Sequence, residues 1–240
     1  MTIQERKEEH NPFLRFSDII PQERISLTKV GVVGAGGIGA PAALALAKMG
    51  VHQMTIWDPD SIGEENIGPQ LYAKKHVGKF KVDVLRAFLR VQAPWCKIVT
   101  KSEMYTDQTT HDCDVLVVTV DSLRARKEIW KSVNPDVTQL LVDARMGAEV
   151  LNVFSVLPDK DGEWYLDSLQ GEAVEAKCTA KSTFHTGLIA GSLAAGAVKA
   201  WLCEERDKVE YTLDLKYINL YGMNSETKHR IFKESQESAA

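Results

Sequence analysis

Lys29 to Lys81 reads KVGVVGAGGIGAPAALALAKMGVHQMTIWDPDSIGEENIGPQLYAKKHVGKFK, and this stretch decides the fold. A β-branched apolar run (Val30, Val32, Val33) turns through Gly34-Ala35-Gly36-Gly37-Ile38-Gly39 into an alanine- and leucine-rich helix that stops at Met49-Gly50. A second apolar strand, Met54 to Trp57, delivers Asp58 about 24 residues after Gly34. Strand, glycine turn, helix, strand and acid stand in the order and spacing of a dinucleotide-binding fingerprint. Gly34 suits the tight turn, Gly36 lets backbone approach a phosphate, and Gly39 permits close contact of helix and strand. Free N–H groups at the helix start favour an anion there. Asp58 is the expected acceptor for ribose hydroxyls, and on these features alone NAD and ATP fit equally.

Residues downstream of Asp58 weigh on that choice. Asp60, then Asn66 and Gln70 in Glu65-Asn66-Ile67-Gly68-Pro69-Gln70, then Lys81 in Gly78-Lys79-Phe80-Lys81 add an acid, two amides and a cation beyond the ribose position. Hydride transfer requires none of them there. Nucleotidyl transfer uses amides to hold sugar and phosphate and a lysine to offset triphosphate charge.

With these segments the chain resembles the ubiquitin-activating-like (ThiF/MoeB/HesA-type) adenylyltransferase superfamily over roughly residues 13 to 205. The motifs that carry the resemblance are GAGGIG, DPD, ENIGPQ, GKFK and the segments around Asp121 and Cys178. It implies ATP and Mg²⁺ as cofactors, with Gly34, Gly36, Gly37, Gly39, Asp58, Asp60, Asn66, Gln70 and Lys81 at the nucleotide. It also implies a homodimer acting on the carboxyl terminus of a small ubiquitin-like carrier protein. Asp121 matches the family's magnesium-binding aspartate, and Arg15 one of the amino-terminal arginines that reach the nucleotide. Cys178 resembles the thioester-forming cysteine of the short single-chain activators. Lys177, Lys181 and a helix start would lower its pKa, although free cysteines are also common as inert core residues.

Two positions depart from the family pattern. Relatives place arginines where this chain has Asp18 and Pro69, and arginines on a phosphoryl transition state are worth roughly 10³ to 10⁵ in rate. Lys74, Lys75, Arg124 and Arg126 are the candidates to restore that charge, Lys74 and Lys75 first. The departures also keep open a catalytically weak subunit that holds nucleotide or carrier. An NAD-dependent oxidoreductase rests on the glycine turn alone. Activation of a peptide or small molecule stays within the adenylyltransferase class.

Elsewhere the sequence alternates strands and helices, which predicts an α/β Rossmann-like, doubly wound and mostly parallel sheet with an antiparallel carboxyl-terminal extension. Residues 1–28 read as an amino-terminal arm and 29–222 as the nucleotide-binding domain. A crossover loop is expected at about 167–182, and a polar tail at 223–240. Lys81 to Arg90 is an amphipathic helix with Val84, Leu85, Phe88 and Leu89 on one face. Lys97 to Met104 is a strand, and Asp114 to Val120 a buried one ending at Asp121, where open α/β sheets place chemistry. Asp121 is equally suited to cap the helix starting near Leu123. Glu149–Leu157 and Trp164–Leu166 read as a hairpin around Pro158-Asp159-Lys160-Asp161-Gly162. A glycine- and alanine-rich helix runs from about His185 to Cys203, its small faces suited to close packing at a dimer interface, and Tyr211 to Tyr221 forms a final strand.

The 240 residues suffice for a large core. A net charge of −4 gives no electrostatic reason to expect nucleic acid. Cys96, Cys113, Cys178 and Cys203 contain no CxxC pair, so neither the zinc site common among relatives nor a disulfide framework is expected. The charged start MTIQERKEEHNP and the Lys199-interrupted apolar run from Thr186 to Trp201 argue against a leader and a membrane span. A cytoplasmic protein is the expectation.

Overall fold

The computed structural model describes residues 11–170, 183–206 and 208–224. Eight strands form one sheet: β1 (Lys29–Val33), β2 (Gln53–Trp57), β3 (Lys97–Lys101), β4 (Val115–Val118), β5 (Leu140–Gly147), β6 (Val150–Val156), β7 (Lys208–Asp214) and β8 (Asn219–Asn224). Their spatial order is β3-β2-β1-β4-β5-β6-β7-β8. The first five are parallel and the last three antiparallel. The order reverses between β1 and β4, and it is at such switch points that doubly wound sheets open a crevice for ligands.

The helices are α1 (Gln22–Leu27), α2 (Gly39–Met49), α3 (Lys81–Gln92), α4 (Leu123–Lys131), α5 (Pro158–Asp167) and α6 (Phe184–Leu202). Two apolar cores form. Val30, Val32, Met54, Ile56, Val115, Val117 and Val142 share one with Leu46 of α2, Leu85 and Leu89 of α3, and the alanines of α6. Val33, Trp57, Leu116, Val118 and Leu141 share the other with Ile129 of α4 and Tyr165 of α5. Alternate residues of each central strand thus feed opposite layers, which is why β4 is an uninterrupted apolar run.

Four local expectations change. Phe88 stays 40% exposed, and Val82 joins Leu85 and Leu89 in the buried face of α3. Pro158–Asp167 is a helix, and the hairpin partner of β6 is β5. Pro158 occupies the first helical turn, where its fixed φ suits a helix, and the Asp161 carboxylate accepts the Leu157 N–H at 2.8 Å. Residues that spell a turn therefore spell a helix start here. Tyr211–Tyr221 is split between β7 and β8 by a reversal in which Asp214 accepts the N–H groups of Lys216 and Tyr217, at 3.0 and 3.3 Å, and Ile218 takes a left-handed φ of 55°. β3 ends at Lys101, three residues short of Met104.

The small residues of α6 are used within the chain. A Cβ at Gly191 would sit 2.7 Å from the Ala42 nitrogen and 2.8 Å from the Ile38 carbonyl, and one at Gly187 would collide with the Gly37 carbonyl. Glycine lets α6 lie directly on α2 and on the turn that precedes it. No described helix is long and apolar enough to cross a membrane.

Candidate functional site

The turn between β1 and α2 is sealed from below and open above. Gly34 has φ 101°, and a Cβ there would lie 2.7 Å from Thr119 Oγ1. A Cβ on Gly39 would overlap the Gly34 carbonyl. Thr119, just past β4, donates its hydroxyl to the carbonyls of Val33 and Gly34, at 3.0 and 3.1 Å, and so ties the two strands of the switch point. Over Gly36, in contrast, the nearest atom to a built Cβ is Gln70 Nε2 at 3.9 Å. Glycine is required at 34 and 39 by the protein's own packing, whereas at 36 it leaves space that a phosphate would fill. Among the described residues the N–H groups of Gly36 to Gly39 donate to nothing, while Ala40 N–H begins the helix by bonding Gly36 O at 3.2 Å.

Asp58 is buried at the end of β2 and has both oxygens engaged. Oδ2 accepts the Ala35 N–H at 2.6 Å and Oδ1 the Asp60 N–H at 2.8 Å. Burial raises its pKa, a shift that the two N–H donors and nearby Lys81 oppose. Lys81 is the first residue of α3 and 6% exposed. A cation at a helix amino terminus opposes the dipole, and here Asp60 offsets it through a 2.7 Å ion pair. Asp58, Asp60 and Lys81, separated in sequence, therefore form one charged ridge beside the turn.

Asn66 and Gln70 approach from the other side. Asn66 Oδ1 accepts the Gly63 N–H at 2.9 Å and shapes the loop. Gln70 Oε1 is buried without a hydrogen-bond partner among the described residues. The Pro69 carbonyl lies 3.3 Å from a Cβ built on Gly37, beside the turn. Sequence reading missed Thr119, Tyr72 and Met146. Met146 lies 4.0 Å from the same built atom, brought there by β5. Their spacing carries no motif: strand order brings Thr119 and Met146 to the turn, and the loop after Gln70 brings Tyr72, whose hydroxyl bonds the Ala35 carbonyl.

Asp121 stands past β4, exposed, with no hydrogen bond or ion pair among the described residues. The cap of α4 is the next residue: Ser122 Oγ accepts the Ala125 N–H at 3.2 Å. Asp121 is thus free of the capping role and retains an anionic oxygen for a cation. No cluster of three or more metal-ligating side chains exists among the described residues. A magnesium ion held by one carboxylate and the substrate's phosphates needs no such cluster, and Asp121 fits that donor set.

Arg126 cannot serve as a replacement cation. It points inward, 4% exposed, paired with Asp143 and bonded to the Val120 and Ala144 carbonyls. Burial pulls its pKa down; Tyr165 and Asp121 oppose that shift, and Arg145 adds to it. Asp143 also accepts from Arg145 Nε at 2.8 Å and from the Tyr165 hydroxyl at 3.0 Å. Arg124 is exposed, as are Lys74 and Lys75. Lys75 lines a cavity of about 390 Å³ with His76, Lys79, Tyr72, Val84 and Phe88.

Arg15 is exposed in a single 3₁₀ turn, Leu14–Phe16. Neighbouring Phe13 packs edge-on against Trp95, 5.0 Å between ring centroids, and lies near His52. His52 and Trp95 directly precede β2 and β3, at the amino ends of the parallel strands, whereas the glycine turn follows the carboxyl end of β1. The fold therefore does not bring Arg15 to its own chain's turn. Cys178, with Lys177 and Lys181, lies outside the described residues. Cys96 and Cys113 are buried, and burial pushes both thiols up to about 12. Cys203 is half-buried against the Ile19 carbonyl.

Switch-point topology, the uncrowded backbone at Gly36 and an acid at the end of β2 define a doubly wound nucleotide-binding protein. The chain belongs to the ThiF family, whose profile matches residues 9–239. It is 31% identical over 116 residues to a probable molybdopterin-synthase adenylyltransferase of Gracilaria tenuistipitata var. liui, covering 46% of this chain and 33% of that one. It is 35% identical over 88 residues to the tRNA threonylcarbamoyladenosine dehydratase of Bacillus subtilis (strain 168), covering 36% and 35%. The chain thus spans about a third of the length of these two curated relatives. Its fold matches E. coli MccB crystallised with ATP (TM-score 0.71, 18% identity, 90% of this chain and 72% of that one). It also matches PaaA (TM-score 0.72, 19% identity, 93% and 74%).

Proposed function

We propose that this chain adenylates a carboxylate with ATP, the substrate being the carboxyl terminus of a small ubiquitin-like or sulfur-carrier-like protein. The observation that carries this reading is the glycine turn, whose N–H groups from Gly36 to Gly39 have no acceptor among the described residues and which lies near the Asp58–Asp60–Lys81 ridge and Gln70, whose Oε1 has no partner among those residues. Relatives named adenylyltransferases, and the fold of a protein crystallised with ATP, support it.

Asp58 would accept the ribose hydroxyls, with Gln70 and Asn66 orienting sugar and phosphate. Gly36, Gly37 and Gly39 would donate to phosphate oxygens. The substrate carboxylate oxygen attacks the α-phosphorus, the α–β phosphoanhydride bond breaks, and pyrophosphate leaves an acyl-adenylate. Lys81, released from Asp60, would sit against the charge that develops at phosphorus. Asp121 would hold a magnesium ion, whose chemistry there would be to offset phosphate charge. Transfer of the acyl group to Cys178, with AMP as leaving group, would follow as a second stage. The chain would act as a cytoplasmic homodimer.

The test is exchange of labelled pyrophosphate into ATP, run with a panel of ubiquitin-like proteins ending in Gly-Gly, followed by nonreducing electrophoresis for a Cys178 thioester. Exchange with a reducible carrier adduct is expected. Exchange without an adduct removes only the second stage. ATP binding without exchange would favour a nucleotide-holding subunit, the reading that Pro69 and Asp18 support.

A further inference from the structure

Tyr72 comes from a segment that no motif singled out. It is 5% exposed, and its hydroxyl donates to the Ala35 carbonyl at 2.6 Å, lying 3.4 Å from the Lys81 carbonyl. The Ala35 N–H is already taken by Asp58 at 2.6 Å. Both polar ends of Ala35 are therefore fixed, by two segments 14 residues apart in sequence. The peptide joining Ala35 to Gly36 is planar and trans, so its C=O and N–H point in opposite directions. A carbonyl held toward Tyr72 thus turns the Gly36 N–H the other way, and a Cβ built on Gly36 meets only Gln70 Nε2, at 3.9 Å. That N–H has no acceptor among the described residues.

We infer that Tyr72 is a positioning residue for phosphate recognition: its hydroxyl holds the Ala35–Gly36 peptide in the one orientation that presents the Gly36 N–H to a bound phosphate. Without the hydroxyl the peptide is free to rock, and each phosphate contact must first pay to stop it. The effect belongs to binding, because the phosphate meets Gly36 before and after the chemical step alike. The inference rests on the adenylation reading only in that a phosphate enters the turn.

The test is Tyr72→Phe, which keeps the ring and removes one oxygen. In wild type, calorimetry with ATP establishes uptake. In the variant the KM and Kd for ATP are expected to rise about five- to tenfold, the worth of one hydrogen bond, with kcat within about twofold of wild type. An unchanged KM, or a fall in kcat alone, overturns the inference even when wild type is active. A lowered melting temperature with unchanged ATP affinity likewise shows a merely structural tyrosine. A second measurement stands apart from activity: on ¹⁵N-glycine-labelled protein, pyrophosphate is expected to shift the Gly36 amide resonance in wild type and much less in Tyr72→Phe. Equal shifts in both proteins, or none in wild type, overturn the inference. Wild type that takes up pyrophosphate but not ATP leaves the positioning role standing and sinks the adenylation reading.

Discussion

Asp58 and Asp121 both follow the carboxyl ends of neighbouring parallel strands, β2 and β4, which flank β1, and the fold treats them in opposite ways. Asp58 is buried, accepts two backbone N–H groups and holds the glycine turn in shape. Asp121 is exposed, carries no hydrogen bond among the described residues and leaves the helix cap to Ser122. One carboxylate is preorganised and the other is left available. The division suits a site that must recognise a nucleotide rigidly yet accept a cation that arrives with the phosphates.

The strongest way to break the contrast is to destroy the rigid side. Gly39→Ala places a methyl on the Gly34 carbonyl, and no side-chain adjustment relieves a clash with backbone. A loss of about 3 kcal/mol or more is expected by chemical denaturation, with ATP uptake abolished. Next comes Lys81→Ala, which removes the cation of the ridge and leaves Asp60 unpaired. Pyrophosphate exchange is expected to fall about 10²- to 10³-fold with the protein still folded, and ATP affinity to fall less than kcat. On the open side, Asp121→Asn keeps the shape and weakens the anionic ligand. About a 10²-fold loss of exchange is expected, while ATP titrated without magnesium binds as in wild type.

The pH dependence of Asp58 sharpens the comparison. Its pKa in the folded protein is raised by burial, so its contribution to stability is present at low pH and is lost as pH rises through that raised value. ATP affinity runs the other way, because ribose hydroxyls donate best to the ionised carboxylate. Calorimetric titrations between about pH 4 and 7 should show affinity falling with acidification, beginning above the ordinary aspartate range. Asp58→Asn should flatten that profile. The smallest effect belongs to the exposed lysines. A Lys74→Ala, Lys75→Ala double variant is expected to lower exchange by about two- to fivefold, the loss shrinking as salt is added. Unchanged exchange would show that the charge missing at Pro69 is not supplied from this pair.

The parallel half of the sheet was legible because each element there carries its own signal. Apolar runs of four or five residues end in glycine or aspartate, and helix faces repeat every three to four residues. The carboxyl-terminal half was less so. Pro158-Asp159-Lys160-Asp161-Gly162 carries the composition of a turn and the chemistry of a helix start, and only the Asp161 bond to Leu157 N–H decides between them. Arg126 read in sequence as a candidate to restore the charge missing at Asp18 and Pro69. Its commitment to Asp143 depends on β5 lying beside β4, a pairing that residue spacing does not reveal.

Sequence alone determined the glycine turn, the acid that follows β2 and the lysine that opens α3, because backbone conformation and charge at those points depend on residue type and local order. The tertiary structure decided which of these groups are fixed and which are free. Thr119, Gly187 and the Gln70–Tyr72 loop reach the turn from three separate segments, and whether an N–H or a carboxylate is already satisfied depends on neighbours that only the packed sheet brings together.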